Sequence, residues 1–133
     1  MRRVFADTFY FLALLNPNDQ AHSRAVDLAL GLYGELATTA WVLTELADAM
    51  SAPENRAIFI ATLQDLRQRP QVKIYPPDSV LFEGGIELYG KRPDKGWSLT
   101  DCISFVIMEH EGVLEALTGD RHFEQAGFVA LLK

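Results

Sequence analysis

The sequence predicts an α/β protein, a three-layer α/β/α sandwich with a central, mainly parallel sheet of four to five strands. Short strand-like segments alternate along the chain with segments whose apolar residues recur at helical spacing. The chain has 133 residues and 49% of them are hydrophobic, which is enough apolar surface for one sizeable core. Strands separated by helices pair in parallel through right-handed crossovers. We therefore expect a single domain over residues 1–133.

The first half of the chain predicts two strands and four helices. The segment RRVFAD is a short strand that ends at Asp7, and a buried helix follows from Thr8 to about Leu15. Asn18 or Asp19 can cap the second helix. The remaining elements of this half are that helix up to the glycines at 31 and 34, the strand ELATTA, the helix WVLTELADAM, and a helix from Pro53 to about Gln68.

The middle of the second half predicts a strand, a helix and a polar loop. VKIYP alternates apolar and polar residues as a strand does. Asp78 caps a helix to about Tyr89 that must include Gly84 and Gly85. KRPDKGW contains proline and glycine, and we expect this loop to be the most mobile segment.

The last third predicts a central helix and the end of the sheet. SLTDCISFVIMEHEG begins with a capping residue, Ser98 or Thr100, and ends at a glycine. VLEALT is the next strand and is followed by a turn at Gly119 and Asp120. FEQAGF is a short helical turn that leads to VALL, the final strand.

Four acidic residues lie where this fold places ligand sites. Ligands of open parallel sheets bind beyond the carboxyl ends of the strands. Asp7 ends the first strand, and Asp120 follows the strand VLEALT by one glycine. Asp101 lies in the first turn of its helix, and Glu45 lies on the helix after the second strand. We expect the four side chains to converge at one edge of the sheet.

Each acid also has a structural interpretation when it is taken alone. Asp7 can cap a helix, Asp101 can serve the helix dipole, Glu45 can face water, and Asp120 can occupy a turn. However, Asp7 and Asp101 are embedded in apolar sequence, and like charges at a buried edge resist ionisation unless a cation holds them. Oxygen ligands suit Mg²⁺ or Mn²⁺. Such a site suits metal-assisted hydrolysis of phosphodiesters.

Composition limits the other possibilities. The net charge of −6 argues against broad neutralisation of phosphates, so we expect no direct DNA binding by this chain alone. Bound cations could supply positive charge instead. The single Cys102 cannot form an internal disulfide and fits a reducing compartment, and no stretch approaches the roughly 18 apolar residues of a membrane span. These features predict a cytoplasmic protein.

At these residues the sequence resembles PIN-domain proteins, and specifically the VapC-type toxins of toxin–antitoxin pairs. The resemblance covers nearly the whole chain: the strand that ends in Asp7, Glu45 within TELADA, Asp101 within SLTDCISFVIM, and the closing ALTGDRHFEQAGF. It implies a PIN-like domain and an endoribonuclease that depends on Mg²⁺ or Mn²⁺. It also implies that the four acids are both the catalytic and the metal-binding residues.

The resemblance has further implications. Thr118 corresponds to a hydroxyl residue that can hydrogen-bond a ligand carboxylate or a water. The partners would be an RNA substrate, a second copy in a homodimer, and a small antitoxin that holds the toxin inactive. As a hypothesis, the basic residues near the acids contact the RNA backbone, although a solvated loop is an equal alternative. These residues are Lys91, Arg92, Lys95 and Arg121.

The histidines lack the paired spacing of a zinc site. His22 and His110 are predicted to be surface residues, and for His122 a structural role in the turn is favoured over proton transfer. A phosphatase or a receiver domain would need a different acid pattern, such as Asp-x-Asp, where this chain has Asp7-Thr8-Phe9. The remaining alternative is a non-catalytic PIN-fold module that binds a protein partner.

Overall fold

The structure is a computed structural model that describes residues 2–32 and 34–133. Its sheet has five strands, all parallel, in the spatial order β3-β2-β1-β4-β5. The fold prediction is confirmed. The strands are β1 (Arg3–Ala6), β2 (Glu35–Thr39), β3 (Val72–Tyr75), β4 (Glu115–Leu117) and β5 (Val129–Ala130).

Helices flank the sheet on the connections between strands. None of those in the described residues is long and apolar enough to cross a membrane. The helices are α1 (Thr8–Leu15), α2 (His22–Gly31), α3 (Ala40–Ala49), α4 (Pro53–Gln68), α5 (Ser79–Lys91), α6 (Leu99–Glu111) and α7 (Arg121–Gln125).

Strand β1 lies at the centre of the sheet, and three of its four residues are apolar. Val4, Phe5 and Ala6 are almost completely buried between β2 and β4. The Thr38 hydroxyl donates to the Ala6 carbonyl at 2.9 Å, and the Asp7 amide donates to the Leu117 carbonyl at 3.3 Å. These bonds extend the strand pairing to the carboxyl edge, where Asp7 begins the turn into α1.

Helices α5 and α6 pack closely because α5 carries a glycine at the crossing. Gly85 is buried, and a Cβ atom at this position would overlap the Ile103 side chain of α6. The predicted helix with two internal glycines therefore exists, and it runs to Lys91 rather than Tyr89. Its packing fixes the first half of α6, which carries Asp101.

Some predicted boundaries are wrong by a few residues. The N-cap of α2 is Ala21, without a side-chain cap, because the Asp19 carboxylate accepts from the Ala21 amide at 2.8 Å and closes a turn before the helix. Strand β4 has only three residues. Helix α7 starts at Arg121, earlier than predicted, because the Asp120 carboxylate caps it by accepting from the His122 amide.

Candidate active site

The four acids predicted from the sequence line one cavity of about 360 Å³ at the carboxyl edge of the sheet. Asp7 comes from the end of β1, Asp120 from the turn after β4, Asp101 from the start of α6 and Glu45 from α3. The other lining residues are Thr8, Phe9, Leu12, Gly96, Ser98 and His122. Elements distant in the sequence thus meet at the sheet edge that the topology rule indicates.

Asp7 is the deepest acid of the cavity. It is only 5% exposed, and burial raises the pKa of its carboxyl from 3.8 to about 7. The hydrogen bond from Thr118 limits this rise in pKa, whereas the nearby charges of Asp101 and Glu45 contribute to it. Without a positive partner, a carboxylate this poorly solvated is largely protonated below about pH 7.

Thr118 connects two of the acids and is itself completely buried. Its hydroxyl donates to Asp7 Oδ2 at 2.9 Å and accepts from the Asp120 backbone amide at 3.1 Å. The side chain thereby fixes the orientation of one carboxylate and the backbone position of the other. The supporting role that the resemblance implies is compatible with these contacts.

Asp101 is held by the start of α6. The Ser98 hydroxyl accepts from the Asp101 amide at 3.0 Å, and Asp101 Oδ2 accepts from the Ser98 amide at 3.2 Å, which forms a capping box. Burial raises the pKa of the Asp101 carboxyl, and the hydrogen bonds from His122 and Ser98 act in the opposite direction. Asp101 therefore takes part in the capping of α6 and also lines the cavity.

His122 adds a nitrogen to the acidic cavity. Its Nδ1 lies 3.1 Å from Asp101 Oδ2 and 3.5 Å from Asp120 Oδ1. Ligand atoms of Asp101, Asp120 and His122 all lie within 4.8 Å of one another, as a shared metal ion requires. The sequence indicated only a residue that holds the turn, because the direction of the imidazole depends on where α7 begins.

Glu45 and Thr8 complete the polar lining in different ways. Glu45 is exposed on α3, and its charge reaches Asp7 across the cavity. Thr8 is buried, and its hydroxyl is the one buried side-chain polar atom in residues 2–32 and 34–133 without a hydrogen-bond partner. From the sequence, Thr8 is predicted only as the first residue of α1. Its position directly after Asp7 is the sequence feature that could have indicated its place in the cavity.

The basic residues near the acids fall into two groups. Lys91 is paired with Glu87 at 2.7 Å, and Arg92 forms two hydrogen bonds with Asp94, each 3.0 Å long. Among the described residues, no carboxylate lies within ion-pair distance of Lys95 or Arg121.

The loop between α5 and α6 forms one side of the cavity through Gly96. The Arg92 guanidinium lies over the Trp97 ring, 5.2 Å from its centroid, and Trp97 Nε1 donates to Gln125 Oε1 of α7 at 3.1 Å. Trp97 is therefore buried, and its contacts connect the loop to α7. The predicted mobility of this segment stays a prediction.

The residues of the cavity fit a hard or borderline divalent cation. Carboxylate oxygens dominate the donor set, and one imidazole nitrogen joins them. The raised pKa of Asp7 and the unpaired hydroxyl of Thr8 are two local defects that a bound cation and its waters would relieve. The geometry is thus compatible with the predicted metal site.

Comparison with known proteins agrees with the fold and with the motifs around the acids. The sequence profile of the PIN domain matches residues 4–129. The chain belongs to the PIN domain family. This match includes Asp7, Glu45, Asp101 and Asp120, and the family resemblance inferred from their motifs is confirmed.

A curated relative of this PIN-domain chain is the 23S rRNA-specific endonuclease VapC20 of Mycobacterium tuberculosis. It is 26% identical over 126 residues, which cover 95% of each chain. The crystal structure of that protein, described as a Sarcin-Ricin loop cleaving toxin, superimposes with a TM-score of 0.86 and 25% identity over 95% of this chain and 96% of that chain.

Two more distant structures share the PIN fold. FitAcB from Neisseria gonorrhoeae has a TM-score of 0.67 and 20% identity, covering 96% of this chain and 94% of that one. VapBC2 from Rickettsia felis, solved with a DNA fragment from its promoter, has a TM-score of 0.66 and 15% identity, covering 96% of both chains. At these identities the likeness concerns the fold alone.

Proposed function

We propose that this PIN-domain chain is a metal-dependent endoribonuclease and the toxin of a toxin–antitoxin pair. The observation that carries the proposal is the convergence of Asp7, Glu45, Asp101 and Asp120 on one cavity at the carboxyl edge of the sheet. The relative VapC20, which matches along nearly the full length of both chains, is named as an rRNA endonuclease. The fold, the acids and this relative therefore support the same activity.

The four acids are the proposed ligands of Mg²⁺ or Mn²⁺. Such a cation supplies positive charge opposite the phosphate and lowers the pKa of water, which is what phosphodiester hydrolysis needs near neutral pH. Asp7 and Asp101 are the buried members of the set, and Glu45 and Asp120 lie nearer the opening. The ionisation of Asp7 depends most strongly on the cation, because its carboxyl is the least solvated of the four.

The protein's own groups orient the reacting atoms. Thr118 fixes the Asp7 carboxylate, and the capping box fixes Asp101, so both acids are held before substrate binds. The exposed Glu45 carboxylate can accept a hydrogen bond from the attacking water and orient it towards the phosphorus.

The proposed substrate is RNA, and its backbone would run past the basic residues near the opening. Lys95 and Arg121 are better placed for this than Lys91 and Arg92, because the latter two already pair with Glu87 and Asp94. The name of the relative makes 23S rRNA the first RNA to test. We further propose a cytoplasmic homodimer, a small cognate antitoxin, and no direct DNA binding by this chain alone.

Inducible expression of the wild type and of Asp7→Asn tests this function. We expect the wild type to arrest growth and the variant to have no effect. Purified wild type should cleave RNA with added Mg²⁺ or Mn²⁺ and stop on chelation, whereas Asp7→Asn should be at least about a hundredfold slower, as expected when a major electrostatic group is lost. Mapping the new RNA ends would identify the cleavage site.

A non-catalytic binding module is the competing function. It would give equal growth with both proteins and no cleavage by either one, although each should still bind its protein partner. Circular dichroism spectra of wild type and Asp7→Asn provide the folding control. Equal behaviour of two folded proteins would reject the ribonuclease proposal.

A further inference from the structure

The imidazole of His122 faces the acids rather than the solvent. The residue lies in the first turn of α7, directly after the Asp120 cap, and its side chain is 24% exposed. Nδ1 is the ring atom nearest the carboxylates, 3.1 Å from Asp101 Oδ2 and 3.5 Å from Asp120 Oδ1. Nε2 lies on the other side of the ring, close to Gly96 of the loop.

These separations match those between ligands of one ion. Oxygen and nitrogen atoms bound to a small divalent cation at about 2.1 Å lie about 3.0 Å apart at an angle of 90°, and farther apart at wider angles. The Nδ1 distances to both carboxylates fall in this range. In the described residues, Asp101 Oδ1 and Asp120 Oδ2 accept no hydrogen bond from the protein, so both oxygens are open to further coordination.

We propose that His122 Nδ1 is a nitrogen ligand of the divalent cation, together with Asp101 and Asp120, and that it makes the site prefer a first-row transition ion such as Mn²⁺ over Mg²⁺. This inference rests on the proposed metal-dependent function and adds to it a ligand and an ion preference. Asp7 and Glu45 line the same cavity but do not belong to this three-residue group.

The preference follows from the chemistry of the ligand. Mg²⁺ binds oxygen, keeps much of its water and gains little from imidazole, whereas transition ions accept nitrogen readily. A site built only from carboxylates discriminates weakly between Mg²⁺ and Mn²⁺. Replacement of one oxygen ligand by an imidazole nitrogen therefore strengthens the binding of Mn²⁺ relative to that of Mg²⁺.

A competing role for His122 is purely positional. A protonated Nδ1 would donate a hydrogen bond to Asp101 and orient it, without contacting the ion. The variant His122→Asn separates these roles, because its amide nitrogen can occupy the Nδ1 position and donate the same bond, but an amide nitrogen does not ligate metals. His110→Asn is the matched control, since His110 is exposed on α6 and away from the cavity.

The test measures metal binding on the full chain by calorimetry and by pulsed electron paramagnetic resonance with Mn²⁺. Wild type and His110→Asn should bind Mn²⁺ at least about tenfold more tightly than Mg²⁺, and the spectrum should contain the coupling of a directly bound imidazole nitrogen. In His122→Asn the coupling should disappear and the Mn²⁺ preference should fall by about tenfold. Circular dichroism melting checks that the variant folds.

The outcomes distinguish this inference from the proposed function. A Mn²⁺-loaded wild type that cleaves RNA but has no nitrogen coupling would overturn the ligand role of His122 and leave the ribonuclease intact. An unchanged Mn²⁺ to Mg²⁺ ratio in folded His122→Asn would also overturn it and would favour the positional role. A wild type that binds neither ion and does not cleave RNA would overturn both proposals.

Discussion

Thr118 donates a hydrogen bond of 2.9 Å to Asp7 across the two central strands, and both residues are buried. The donor follows β4 and the acceptor follows β1, so the bond lies where the carboxyl ends of these neighbouring strands meet. The same oxygen accepts from the Asp120 amide. A single buried hydroxyl therefore links the end of the sheet to the start of α7.

Replacement of Thr118 by valine should damage both stability and activity. Thr118→Val keeps the shape but leaves the Asp7 carboxyl and the Asp120 amide without their partner, and we expect unfolding to become easier by about 1–3 kcal/mol. Cleavage of RNA should fall by about tenfold or more, as for other residues that orient metal ligands. Urea denaturation and single-turnover cleavage measure the two effects.

Two variants make this comparison specific. Thr118→Ser retains the hydroxyl and should recover most of the activity. Thr62→Val removes a hydroxyl on α4 that bonds only to the Ile58 carbonyl of its own helix, and it should change neither quantity appreciably. Full activity in a folded Thr118→Val protein would contradict the orienting role.

The buried Asp7 carboxyl should make the metal-free protein less stable at higher pH. Its pKa is about 7 in the folded state and 3.8 by ordinary values, so between these limits the folded state binds more protons than the unfolded state. The effect of Asp7 therefore lowers the free energy of unfolding as the pH rises from about 4 to about 7, and the full loss is present above about pH 7. At about 1.4 kcal/mol per pKa unit the full effect approaches about 4 kcal/mol.

Asp7→Asn should remove this dependence. In chelator, the variant should be more stable than the wild type at about pH 8 and similar to it at about pH 4, where the wild-type carboxyl is protonated. Added Mn²⁺ should stabilise the wild type much more than the variant, because only the wild type offers an anion there. Equal stability of the two metal-free proteins at the higher pH would show that Asp7 is ionised without penalty.

The crossing of α5 and α6 should not tolerate a side chain at Gly85. Gly85→Ala places a methyl group against Ile103, and we expect a loss of about 1–3 kcal/mol from overpacking. Gly90→Ala in the same helix meets nothing within 4 Å and should be neutral or stabilising by up to about 1 kcal/mol. Urea denaturation of both variants measures the difference, and an equal stability would mean that the two helices can separate at no cost.

Charge reversal should distinguish the two groups of basic residues. Lys95→Glu and Arg121→Glu should raise KM for RNA several-fold and reduce its salt dependence, because each removes a cation available to phosphate. Lys91→Glu should have a smaller effect, since Lys91 is already paired with Glu87. Cleavage assays at several salt concentrations test this, and an unchanged KM in the first two variants would place the RNA elsewhere.

Much of the architecture was accessible from sequence because its signals are local. Pro53 marks the start of α4, and Ser98, one of the two predicted capping residues, marks the start of α6. The convergence of Asp7 and Asp120 followed from a general rule about parallel sheets, since each acid comes after a strand. Such predictions need the order of the elements and not the details of their packing.

Other features of the site depend on packing between distant segments. The direction of His122 is set by the cap of α7 and by Asp101, which lies 21 positions earlier. The lack of a partner for the Thr8 hydroxyl follows from its burial, which the sequence pattern does not specify. In the described part of the chain, Lys91 and Arg92 pair with acids of their own segment, which leaves Lys95 and Arg121 as the two basic residues of the predicted four that are free to contact phosphate.

The bond between Trp97 and Gln125 has a consequence for how substrate is admitted. It joins the loop that carries Lys95 to the helix that carries Arg121, so the two sides of the opening are connected before any ligand arrives. Because this contact orders the rim when the chain folds, binding of the proposed RNA substrate would carry less of that entropic cost. If the chain is the proposed ribonuclease, its opening selects RNA segments that can already adopt the shape it accepts.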